Sequence, residues 1–81
     1  MVEKGPEVVE RIPLRSGGEF EVTQELFAEL DRAYPAVEPL QTLREIRGWC
    51  IGNETKRKTR RGIKRFLFGW FAREQARNGK T

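Results

Sequence analysis

Apolar and polar residues alternate near the start of the chain, as in β-strands that bury one face. Over residues 8–22 the pattern approximates a period of two, with Ile12 and Leu14 on one face of the first segment. The intervening Arg15-Ser16-Gly17-Gly18 is typical of a turn. The pattern therefore predicts a β-hairpin over residues 8–22. Pro13 places its first strand at a sheet edge, because proline has no N–H to donate.

Beyond the hairpin, the apolar residues recur at helical spacing. A first helix is predicted over about residues 24–34, since Thr23 is a favourable N-cap residue and Tyr34-Pro35 ends the run. A second helix is predicted over about residues 38–52. It opens with Pro39 at the first helical position, where the missing N–H costs nothing, and it ends at Gly52-Asn53.

A third helix is predicted over about residues 59–77, with Thr59 as its cap and Gly79 just beyond its end. Its apolar residues occur at intervals of three and four, which defines one face of a helix. These residues are Ile63, Phe66, Leu67, Trp70 and Phe71. We expect this face to belong to the core.

The order of these elements predicts a small α+β domain over residues 8–78, with an N-terminal hairpin packed on three helices. Residues 1–7 are expected to form a flexible arm. An 81-residue chain has room for one hydrophobic core. The predicted core residues are Ile12, Phe20, Leu26, Leu30, Leu43, Ile46, Trp49, Phe66, Trp70 and Phe71.

The composition argues against several classes of function. There is no His and only one Cys, which argues against disulfide frameworks and most zinc sites. Cys50 lies on the apolar stripe of the second helix, where an inert core residue is expected rather than a nucleophile. We therefore predict a non-enzymatic protein without cofactor or metal. The chain has no apolar run of the length that spans a membrane, and its first residues do not resemble a secretory signal. A cytoplasmic location is therefore expected.

Charge is distributed unevenly along the chain. Residues 1–55 carry six basic and eleven acidic residues, whereas residues 56–81 carry ten basic residues and Glu74 as their one acid. The densest run lies in the loop and the start of the third helix. We predict that it binds nucleic acid phosphates, since each neutralised phosphate releases counterions. The predicted phosphate-binding residues are Lys56, Arg57, Lys58, Arg60, Arg61, Lys64 and Arg65.

Other interpretations of this run remain open. It could bind a protein or nucleoprotein partner, or it could be a solubilising face. At 100° per residue, Phe68 projects among Arg61, Lys64 and Arg65, where it could stack on an unpaired base or anchor a partner. Alternatively, the arm or the hairpin folds over Phe68 and makes it part of the core.

Three segments of this chain resemble a C-terminal module of phage and prophage replication proteins, including replication initiators and helicase-loader-like proteins. The segments that carry the resemblance are residues 34–37, 43–53 and 57–71. The resemblance as a whole covers about residues 12–77. The module has a tyrosine-proline segment, a helix ending in tryptophan, a Lys/Arg-Lys-Thr run and a Phe-x-x-x-Trp pair, here Phe66 and Trp70. In that family the position of Phe68 is usually small and polar, and an acidic residue usually stands at or beside Pro39.

The resemblance implies a phage origin and work on nucleic acid, DNA rather than RNA. Members of the family usually carry a larger N-terminal domain. This module without one is expected to act as a replication-associated DNA-binding accessory. The alternative is an inhibitor that uses the same basic surface against a host nucleoprotein complex, such as a CRISPR nuclease complex, in the bacterial cytoplasm. The departure at Phe68 suggests a surface specific to one partner. Oligomeric state does not follow from the sequence.

Overall fold

In the computed structural model, which describes residues 7–79, an antiparallel hairpin precedes three helices. The strands are β1 (Val8–Pro13) and β2 (Glu19–Thr23). The helices are α1 (Gln24–Ala33), α2 (Pro39–Gly52) and α3 (Ile63–Asn78), and a 3₁₀ turn covers Glu54–Lys56. The predicted α+β class, with a hairpin packed on three helices, is confirmed.

The hairpin turn depends on two glycines. Ile12 pairs with Phe20 across the strands, and the N–H of Leu14 donates to the carbonyl of Gly18 at 3.0 Å. Gly17 and Gly18 have φ angles of 93° and 74°, a backbone region that favours glycine because it has no Cβ. The predicted arm falls on residues 1–6, outside the described residues, and on Glu7, whose carbonyl accepts a hydrogen bond from the Gln24 N–H at 2.8 Å.

The first two helices begin where the sequence predicts. The hydroxyl of Thr23 accepts the N–H of Leu26 at 3.3 Å at the start of α1. At the start of α2, the carboxylate of Glu38 accepts the N–H of Leu40 at 3.3 Å, and Pro39 is the first helical residue. Both caps satisfy N–H groups that have no partner within the helix. None of the helices within residues 7–79 is long and apolar enough to cross a bilayer.

The predicted start of α3 is wrong by one turn. The helix begins at Ile63, and residues 60–62 form a separate turn in which the N–H of Gly62 donates to the Thr59 hydroxyl at 3.2 Å. The N–H of Arg15 in the hairpin turn also donates to the carbonyl of Lys58 at 2.9 Å. This contact holds the segment before Thr59 against the hairpin. Thr59 therefore caps a turn rather than α3. The helix ends at Asn78, one residue beyond the predicted end at 77, and Gly79 follows it as predicted.

The core is built mainly from aliphatic side chains of every element, and half of the predicted core residues are fully buried. Phe20, Leu26, Trp49, Phe66 and Trp70 are instead half-buried and pack against its edge. A domain this small does not readily enclose several aromatic rings, and tryptophan is rarely buried completely. The buried hydrophobic residues of the core are Ile12, Leu14, Val22, Leu30, Val37, Leu43, Ile46, Cys50, Ile63, Leu67 and Phe71.

Candidate nucleic-acid interface

The loop between α2 and α3, residues 53–62, is held in place by the protein itself. The side chains of Asn53 and Arg57 each donate to a carbonyl in the last turn of α2, both at 2.8 Å. The Arg15 N–H donates to the Lys58 carbonyl from the other side. These three bonds link the loop to α2 and to the hairpin. The backbone from which the loop cations project is therefore held in place by the fold.

Two of the predicted phosphate-binding residues already have partners within the fold. The Nε of Arg57 donates to the carbonyl of Cys50, which also accepts the backbone N–H of Asn53 at 3.3 Å at the end of α2. The ammonium of Lys58 lies 5.0 Å from the centre of the Phe66 ring, within the range of a cation–π interaction. Arg57 and Lys58 are half-buried. The other five predicted residues are exposed, and they are Lys56, Arg60, Arg61, Lys64 and Arg65.

The basic residues of the loop carry charge that the described part of the chain does not neutralise. Within residues 7–79 there are four ion pairs, and none includes a predicted phosphate-binding residue. The basic partners in those pairs are Arg11, Arg32, Arg47 and Arg77. Neighbouring like charges repel one another, so a bound polyanion would relieve this repulsion.

The tertiary fold adds a cation that the sequence analysis did not include. Arg15, in the hairpin turn, is exposed and lines a groove of about 500 Å³ together with Trp49, residues 55–59 and Gly62. We call this the loop groove. Arg15 lies more than 40 positions from the basic run. Charge counted along the sequence places it in the acidic part, and only the hairpin contact with Lys58 brings it to the loop.

Lys64 is separated from the rest of the basic run. It lines a groove between β2, α1 and α3, together with the acidic residues Glu21, Glu25 and Glu29. Arg65, the next residue, lies in a groove with Lys58, Gly62 and Phe66, on the side of α3 that faces the loop. The predicted site is therefore not one continuous patch. Arg65 belongs to the loop side, whereas Lys64 lies near glutamates.

Phe68 is half-buried rather than fully exposed. Its ring meets that of Tyr34 edge to face at 6.2 Å between centroids, and Tyr34 also lies 6.0 Å from Phe71. Phe68 is therefore partly covered by the fold, as the alternative interpretation of this residue expected. The covering residue at this contact is Tyr34, the first residue after α1, and not the arm or the hairpin that the sequence predicted.

A different aromatic group lies beside the loop cations. Trp49, Phe66 and Trp70 form a triangle, with ring centroids 5.6 Å, 6.0 Å and 5.7 Å apart. All three are half-buried, and Trp49 lines the loop groove. All three rings were predicted to lie in the core. The position of Trp49 on the flank of the apolar stripe of α2 was the one signal of its partial exposure.

Cys50 is a core residue, as predicted. Its carbonyl, and not its thiol, accepts the hydrogen bond from the Arg57 side chain in the loop. Burial raises the pKa of the Cys50 thiol, while the nearby charges of Arg57 and Lys58 act in the opposite direction. A buried, protonated thiol is a poor nucleophile. Among residues 7–79, no three His, Cys, Asp or Glu side chains are grouped to hold a metal ion.

No known family model, curated protein or solved structure matches this chain. The resemblance to the phage replication module therefore stays a prediction. The arguments for function rest on the loop, its cations and the aromatic side chains beside it.

Proposed function

We propose that this protein is a small nucleic-acid-binding accessory protein that contacts phosphates through the 53–62 loop and the start of α3. The observation that carries the proposal is the clustering of cations on a loop that three hydrogen bonds fix in place. A loop whose backbone is already ordered loses less conformational freedom when it binds, so more of the electrostatic energy contributes to affinity.

The contact residues in this proposal are the loop cations and their neighbours on the loop side of α3. Exposed Lys56, Arg60, Arg61 and Arg65 bind phosphates directly, and Arg15 extends the surface across the hairpin turn. Lys64 contributes less, because glutamates line the groove beside it. The resemblance to a phage replication module supports DNA as the polymer and replication in a bacterial cytoplasm as the setting.

Salt dependence tests this proposal directly. Fluorescence anisotropy with labelled DNA should give an affinity that falls steeply with salt. The slope of log affinity on log salt should be about −3 to −5 if four or five cations engage duplex phosphates. An affinity that does not change with salt would contradict phosphate binding.

Charge reversal locates the surface. The double variant Arg60→Glu and Arg61→Glu should abolish DNA binding while leaving the melting temperature almost unchanged, because both side chains are exposed and have no ion pair within residues 7–79. The matched control is Arg44→Glu with Arg73→Glu, which changes net charge equally at exposed positions of α2 and α3 that have no ion pair within residues 7–79. The control should lose far less affinity. Equal losses would mean that net charge, and not this surface, drives binding.

A gel-shift assay decides between the accessory function and the alternative of a host nucleoprotein inhibitor. An accessory protein shifts naked DNA in a gel, whereas an inhibitor gives little or no shift and associates with the host complex instead. A missing shift, combined with loss of that association in the Arg60→Glu and Arg61→Glu variant, would overturn the accessory function and favour the inhibitor.

A further inference from the structure

Among residues 7–79, Trp49 is the one aromatic residue that lines the loop groove, whose other lining residues are polar or basic apart from Gly62. Its neighbours on α2, Ile46 and Cys50, are fully buried, whereas Trp49 is half-buried and lines the loop groove. An aromatic ring beside several cations is the combination that binds single-stranded nucleic acid, where bases stack on rings and cations meet the backbone.

Two other aromatic rings pack against Trp49. Phe66 lies 5.6 Å from it and Trp70 lies 6.0 Å from it, so two rings support the indole from the protein side. The carbonyl of Trp49 also accepts the side-chain amide of Asn53 at 2.8 Å, which fixes the start of the loop next to the ring.

Phe66 is a weaker candidate for the same role. The Lys58 ammonium lies over its ring at 5.0 Å, so a base would have to displace this cation–π contact. Phe68 is weaker still, since Tyr34 packs against it away from the loop. Trp49 is thus the aromatic residue best placed to meet a ligand in the loop groove.

We propose that the loop groove receives an unpaired nucleobase, which stacks on Trp49 while the surrounding cations, Arg15 among them, bind the adjacent phosphates. This inference rests on the proposed function and specifies its ligand as single-stranded nucleic acid. Bases in a duplex are stacked on one another, so Trp49 reaches their faces only if a base is flipped out, which requires unstacking and unpairing. The protein therefore binds single strands more tightly than duplexes of equal length.

Tryptophan fluorescence observes this contact directly. The chain has two tryptophans, so Trp70→Phe leaves Trp49 as the single fluorophore. The buried Nε1 of Trp70 has no hydrogen-bond partner within residues 7–79, so this change breaks no hydrogen bond there. The variant is titrated with labelled oligothymidylate of about 16 nucleotides and with a duplex of equal length. Anisotropy reports binding, and emission reports Trp49.

The expected result is quenching of Trp49 emission that follows the anisotropy with oligothymidylate, and weaker binding without quenching for the duplex. Binding of oligothymidylate without quenching would overturn the stacking inference while leaving the proposed function intact. Absence of binding to either DNA would overturn both. Equal quenching by polyglutamate would also overturn the inference, because the groove would then be a site for acidic protein segments.

Substitution of Trp49 gives an independent measurement. Trp49→Leu should lower the affinity for oligothymidylate about 5- to 150-fold, the range for loss of one base–aromatic stack. Trp49→Phe keeps a ring and should lower it less, and neither variant should change duplex affinity more than about twofold. Thermal melting checks that each variant folds. If Trp49→Leu does not fold, the quenching experiment still decides. Equal losses for single strand and duplex would contradict stacking.

Discussion

Replacement of Arg57 tests whether the loop is held by the fold. In Arg57→Ala, the hydrogen bond from Nε to the Cys50 carbonyl, 2.8 Å long, is lost at the C-terminal end of α2. A hydrogen bond from a charged group contributes about 1.5–3 kcal/mol, and the half-exposed position of Arg57 lowers this to about 1–2 kcal/mol. The Cys50 carbonyl keeps the backbone N–H of Asn53 as a partner at 3.3 Å, so the variant loses one hydrogen bond without leaving this acceptor unpaired.

The assay is thermal unfolding followed by circular dichroism. For a domain of this size, about 1–2 kcal/mol corresponds to a decrease in Tm of roughly 4–16 °C. Arg57→Lys should recover part of this loss through its charge near the helix end, but it lacks the Nε–H that makes the bond.

The matched control is Lys56→Ala. It removes an equal charge from the adjacent residue, whose side chain is exposed and makes no hydrogen bond within residues 7–79. Its unfolding free energy should change by no more than about 0.5 kcal/mol. If Arg57→Ala and Lys56→Ala melted at the same temperature, Arg57 would be only a surface cation, and the argument for a preformed loop would fail.

Two further predictions concern residues away from the loop groove. Phe68→Ala should destabilise the fold by about 2 kcal/mol, less than the ~3–5 kcal/mol of a fully buried phenylalanine, because Phe68 is half-buried against Tyr34. The affinity of this variant for duplex DNA, measured below its melting temperature, should not change. Thermal melting measures the stability, and a DNA titration measures the affinity. A loss of affinity without a loss of stability would indicate that Phe68 contacts DNA directly. Burial raises the pKa of the Cys50 thiol in the folded protein. As pH rises, the thiol therefore loses its proton in the unfolded chain at a lower pH than in the folded protein. The unfolding free energy should then fall as pH rises above the usual thiol pKa of about 8.5. Urea unfolding of wild type and Cys50→Ala across that range checks this, and an identical pH dependence would contradict it.

Local features of the fold followed from the sequence. The cap at Thr23 and the turn at Gly17 and Gly18 depend on residues within a few positions of each other, and both appear as predicted. Pro39 opens α2, also as predicted, because its fixed φ and missing N–H suit the first position of a helix. The concentration of basic residues in the loop and the start of α3 was also visible, because it is a property of neighbouring residues.

The composition of the candidate site depended on packing between distant segments. Periodicity shows which face of a helix is apolar, but not how far a neighbouring element covers each side chain on that face. Trp49 therefore lies half-buried at the loop groove although it was assigned to the core, and Tyr34 covers part of Phe68. The hairpin brings Arg15 to Lys58 through one backbone hydrogen bond. The strands, the helices and the position of the charge along the chain depend on neighbouring residues and can be read from the order of the amino acids. Which cations and which ring share a surface depends on contacts between segments far apart in sequence, and these contacts form only when the core packs.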